Sequence, residues 1–203
     1  MELVGGRVTI GGEGDDTGSG DDRGEAKSES AADRTDGSAA NRVAFENVEA
    51  FVERLDEVGT AHGCTVQAFD ARYVVGQVHL ERAVALADRA RERGEAVARE
   101  RAVEVLLYAA GRRQIDRALE MGVGAGENRV VVLVDAEPDA HDADERATAA
   151  ATEALIEPAE TLGEYDEHRV QAFFDITDAE VAATDAGLGA LVAERVALLD
   201  IEK

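Results

Sequence analysis

Six consecutive residues, Arg129-Val130-Val131-Val132-Leu133-Val134, limit what this chain can become. A β-branched run of this kind reads as a strand. Because it is apolar without alternation, that strand must be covered on both faces. Such a strand needs helices above and below its sheet, and the rest of the chain supplies them.

Residues 1–10 alternate weakly around Leu3, Val4, Val8 and Ile10 and read as a first strand or hairpin edge. From 11 to 41 the composition collapses to Gly, Asp, Ser, Ala, Glu and Arg. So little apolar surface cannot offset the entropy of ordering, and a disordered acidic insertion is expected there. Val48, Phe51, Val52, Leu55 and Val58 then recur at helical spacing, with Gly59 as the stop. Cys64 to Val75 follows as a strand pair or one long strand, and Gly76 turns the chain. A helix from His79 to Arg93 buries Leu80, Ala83, Val84, Ala87 and Ala90. Beyond the valine run, Pro138 lies in an acidic loop, an alanine-rich helix runs to Leu155, and Pro158 punctuates. A further helical piece ends in Phe173 and Phe174. Thr177 and Glu180, placed after Ile176, match a capping box. Leu188, Leu191, Val192, Val196 and Leu199 stripe a final helix from Gly189 to Asp200. The expected architecture is one mixed α/β domain over 1–203, a small sheet surrounded by about seven helices.

Charge bears on partners. The net charge is −23, from 44 acidic and 21 basic residues, and the only lysines are Lys27 and Lys203. Such a chain repels nucleic acid and anionic membrane at low salt. An acidic, lysine-poor surface also suits a salt-rich cytoplasm, where self-repulsion is screened, so local charge is more informative than the total. The lone Cys64 rules out an internal disulfide and fits a reducing compartment. No apolar run approaches the ~20 residues of a membrane span, and the N-terminus lacks signal-peptide features. A cytoplasmic protein is expected.

Chemistry-bearing patterns are sparse. Gly122-Val123-Gly124-Ala125-Gly126 follows a helix and precedes a strand, the reverse of a phosphate-binding loop. His62, Cys64 and His79 do not complete a metal set, and no cofactor is expected. No nucleophile motif stands out. A binding protein is favoured over an enzyme.

The segment from Arg99 to Gly122 carries the strongest local signal. Ala102, Val105, Leu106 and Ala109 give one helical stripe, and Ile115, Ala118 and Leu119 start a second. Gly111-Arg112-Arg113-Gln114 forms the elbow between them. Nine arginines stand against six acids between Arg82 and Arg117. Two readings of the elbow stand: donors for phosphate or base edges beside a helix N-terminus, or a surface turn paired with local acids.

Glu104-Val105-Leu106-Leu107-Tyr108-Ala109-Ala110-Gly111-Arg112-Arg113-Gln114-Ile115, followed by Ala118-Leu119 and Gly122-Val123, resembles the signature region of the TPRKB-type subunit of the KEOPS complex. His79-Leu80 with Ala83 and Ala87, and the ending Glu194-Arg195-Val196-Ala197-Leu198-Leu199-Asp200, are similar to the same family. The resemblance runs from about residue 43 to the end and omits 11–41. It implies a non-catalytic accessory subunit of the complex that installs threonylcarbamoyl on the tRNA adenosine beside the anticodon. Its partners would be the complex's small atypical kinase/ATPase and the 3′ CCA end of tRNA, with other KEOPS subunits met indirectly. The residues that fit a single-stranded RNA end are Gly111, Arg112, Arg113, Gln114 and Ile115, with His79 as a neighbour. Those that fit the kinase are Leu188, Leu191, Val192, Arg195, Val196 and Leu199 on the last helix. The alternatives are a small stand-alone enzyme with a phosphate site at the elbow, and a bridge that touches only protein.

Overall fold

The structure, a computed structural model, describes residues 1–12 and 44–199. Beyond Gly12, the insertion expected at 11–41 lies outside the described residues. The strands are β1 (Glu2–Ile10), β2 (Ala44–Phe45), β3 (Cys64–Asp70), β4 (Gly126–Ala136) and β5 (Glu157–Pro158). The helices are α1 (Val48–Ala61), α2 (Gln77–Glu92), α3 (Arg101–Ala110), α4 (Ile115–Ala118), α5 (Glu145–Glu153), α6 (Glu167–Phe173), α7 (Asp178–Ala183) and α8 (Gly187–Leu198). Short 3₁₀ turns span Ala71–Tyr73 and Leu119–Met121. The fold is mixed α/β, with eight α-helices among the described residues where about seven were expected.

The sheet runs β2-β1-β4-β3, with β5 added on β1. Both neighbours of β4 are antiparallel to it. Its valine run faces two cores. Val131 and Leu133 join the core built with α2, α3, α6 and α8. Val130, Val132 and Val134 join the one closed by Phe51 and Leu55 of α1. The central strand covered on both faces is therefore present, and all five side chains are fully buried.

Several boundaries differ from the sequence expectation. α1 does not stop at Gly59 but continues to Ala61. Gly59 is a packing position, since a Cβ there would lie 2.5 Å from the Cys64 carbonyl oxygen. Val52, counted in the apolar stripe, is exposed. Residues 64–75 form one strand and then a 3₁₀ turn, because the Asp70 carboxylate accepts the Arg72 N–H and caps the turn. Pro158 belongs to β5, which pairs antiparallel with β1 opposite Gly6. The Thr177–Glu180 capping box is present and starts the short helix α7.

Candidate functional site: the arginine corner

α3 is not a helix with a single buried stripe. Eight of its ten residues are buried, because it runs between α2, α8 and the sheet. Arg101 at its start is 4% exposed and pairs with Asp88 at 2.7 Å and Asp135 at 2.5 Å. Burial opposes its charge, but these two carboxylates outweigh that and hold its pKa above the ordinary arginine value. Buried Glu104 accepts the backbone N–H groups of Val97 and Ala98, tying down the loop before α3. Part of the local arginine excess is thus internal.

The helix ends where Gly111 takes the left-handed conformation, φ 59°, which favours glycine. The Arg112 N–H returns to the Leu107 carbonyl at 3.0 Å. The second helix expected beyond the elbow is only the four residues of α4, continued by the 3₁₀ turn. Ala118 and Met121 are buried, whereas Ile115 and Leu119 face solvent. Four residues are too few for a helix dipole of consequence, so phosphate capture here would rest on side chains.

Arg112 is half-buried. Its guanidinium donates to the Phe173 carbonyl and pairs with Asp175 at 3.0 Å, and it lies 5.5 Å from the Phe173 ring centre. Arg113, Gln114 and Ile115 are exposed beside it. His79 lies beneath the corner and does not reach its surface. It is 2% exposed, and its Nε2–H donates to the Ala109 carbonyl at 2.8 Å. Its Nδ1 is buried without a partner among the described residues. Burial pushes its pKa down to about 4, against the opposing effect of the Ala109 bond.

On α8 the five expected apolar contact residues, Leu188, Leu191, Val192, Val196 and Leu199, are all buried in the core shared with α2 and α3. Exposed apolar groups near the end of α8 include Leu198 and, before α3, Val97, which lines a small cavity with Leu199. Arg195 donates to the Phe174 carbonyl at 3.2 Å and pairs with Glu180 at 2.5 Å. Glu180 is held down to about 2 by the Thr177 backbone N–H first and by Arg195 second. The two sets of expected site residues are neighbours: Gly111, Arg112, Arg195 and Leu199 line one cavity of about 180 Å³.

A larger groove, of about 520 Å³, opens on the other side of Arg112. Tyr73, Arg117, Glu120, His168, Arg169 and Phe173 line it. Sequence reasoning passed over these positions because they come from three segments far apart in the chain. The only available signal was Arg117, present in the arginine count.

The corner and groove present donors and apolar surface to solvent, and the domain that carries them is a mixed α/β scaffold with two cores. Residues 45–200 match the family model described as kinase binding protein CGI-121. The chain belongs to that family. No curated protein sequence matches the chain.

Proposed function

We propose that this chain is a non-catalytic, kinase-binding accessory subunit of a KEOPS-type complex, serving threonylcarbamoyl modification of tRNA. The observation that carries the reading is the family match over residues 45–200. In this reading the atypical kinase meets the end of α8, through exposed Leu198 and Val97. Leu188, Leu191, Val192, Val196 and Leu199 hold that helix from inside, and Arg195 fixes its neighbour α7 through Glu180. The tRNA 3′ CCA end meets exposed Arg113, Gln114 and Ile115, with Gly111 and Arg112 setting the corner and His79 supporting it from below. Donors beside an apolar side chain suit an unpaired RNA end.

The test is twofold: co-purification with the kinase, and tRNA binding in high KCl with intact and CCA-trimmed tRNA. Kinase capture together with loss of tRNA binding on trimming is the expected result. Capture with equal binding to both tRNAs, or to neither, would leave a bridge that touches only protein. Failure to capture the kinase would overturn the reading.

A further inference from the structure

Charge holds Met1 in place. β1 runs antiparallel to β4 with Glu2 opposite Val134, which carries the Met1 α-ammonium to the end of β4. There it donates to the Glu145 carboxylate at 2.6 Å and lies 3.5 Å from an Asp135 oxygen, and the Met1 side chain is 10% exposed. The second oxygen of Glu145 accepts the Ala136 N–H at 3.0 Å, so this one carboxylate joins β1, β4 and the start of α5. Asp135 also takes Arg101 at 2.5 Å, and Arg101 takes Asp88 at 2.7 Å. Three carboxylates therefore share two cations, one of them the α-ammonium. Glu145 has no other ion pair among the described residues.

Burial opposes the charge on the amine, but Glu145 and Asp135 outweigh it and hold its pKa above the ordinary value. A protonated amine is not a nucleophile, so the folded protein shields this group by ion pairing. The chain in synthesis has no such shield. Glu2 is made more than a hundred residues ahead of its partner Val134, and Asp135 and Glu145 come later still. Until they arrive the amine has neither carboxylate beside it.

We propose that the α-amino group of Met1 is a modification site for an acyl thioester donor, open only before the sheet closes, and that acylation there unfastens β1 from α5 and β4. In that step the uncharged amine attacks the thioester carbonyl. An N–C bond forms as the C–S bond breaks, and the thiolate leaves with the proton that the nitrogen loses. The acylated residue carries no charge and one N–H in place of three. Glu145 is then left without a cation, and Asp135 keeps only Arg101. A partly buried carboxylate that loses its counter-charge weakens the fold. The proposal goes beyond the partner reading above and stands without it, since it needs neither the kinase nor tRNA.

The test exploits the scarcity of lysine. With Lys27→Arg and Lys203→Arg, the α-amine is the only primary amine in the chain. This full-length variant is treated with an acetylating ester at neutral pH, folded and in urea, and Met1 acetylation is followed by mass spectrometry. The folded protein should react about threefold or more slowly than the unfolded chain. The chain acetylated in urea is then refolded, beside an unmodified chain taken through the same steps, and both are unfolded in urea in the same KCl buffer. Acetylation should raise the unfolding equilibrium constant about fivefold or more. With Glu145→Gln added, the effect of acetylation should shrink by about threefold or more, because its main partner is gone. Equal reactivity folded and unfolded, an unfolding constant unmoved by acetylation, or an undiminished effect with Glu145→Gln would each overturn the proposal.

Discussion

Arg112 and Arg195 converge on the C-terminal end of the same helix, α6. Arg112 donates to the Phe173 carbonyl, and Arg195 donates to the carbonyls of Phe174, at 3.2 Å, and Asp175, at 3.4 Å. The last carbonyls of a helix have no partner within it and carry partial negative charge, so guanidinium donors suit them. Asp175, next in the chain, is the one non-glycine residue with positive φ among the described residues, at 53°. Arg112→Ala and Arg195→Ala are each expected to cost about 1–2 kcal/mol, after allowing for their partial exposure. Because they share one helix end, the double variant should depart from additivity by about 0.5 kcal/mol or more. Urea unfolding of the four proteins checks this.

Arg113 offers the contrast. It is exposed, so Arg113→Ala should change stability by less than about 0.5 kcal/mol. In the proposed role it should still weaken tRNA binding severalfold. A gel shift alongside an unfolding curve separates the two effects. Affinity that falls only in variants that also lose stability would count against a direct contact.

His79 sets a pH dependence. Its folded pKa, about 4, lies below the ordinary 6.5. Between those values the unfolded chain takes up a proton that the folded chain does not, so stability falls as pH falls through this window. The loss attributable to His79 should approach about 3 kcal/mol by the lower end. His79→Gln should show a shallower decline between pH 6.5 and 4 than the parent, measured by denaturant midpoints. Equal slopes would place the titration elsewhere.

Arg101→Ala should be among the most destabilising single changes. It removes the buried cation that Asp88 and Asp135 share, leaving Asp135 only the Met1 amine at 3.5 Å, a loss of about 3 kcal/mol. Thermal unfolding reads it directly. A shift no larger than that of an average surface variant would show the network to be dispensable.

Gly59→Ala tests the close approach of α1 to β3. An added Cβ would meet a backbone oxygen at 2.5 Å, which no side-chain movement relieves. Helix propensity alone would favour alanine, by about 1 kcal/mol. The expected net result is destabilisation of about 1–3 kcal/mol, with α1 displaced from the sheet.

How much the sequence reveals depends on the range of each interaction. The central strand was legible because Val130–Val134 is apolar at every position, and the α7 cap because Thr177 and Glu180 are three residues apart. The inward turn of Arg101 was not legible, since one partner, Asp135, lies on a strand far along the chain. Gly59 read as a stop because a glycine that ends a helix and one that admits a neighbouring backbone look alike in sequence. The stripe on α8 has the same pattern whether α2, α3 or a partner covers it, and here α2 and α3 do. At the corner, the run from Gly111 to Ile115 was visible, but the groove next to it was not. Tyr73, Arg117 and Arg169 meet only once the chain has folded.

The pairing of β1 with β4 has a consequence for how the molecule is made. Glu2 lies opposite Val134 and Ile10 opposite Gly126, partners more than a hundred residues apart in the chain. Contacts of that separation must pay for closing a long loop before they return any stability, which slows folding. On the ribosome, β1 is made well before β4 and must wait for it, so the sheet cannot be completed in the order in which its strands are synthesised.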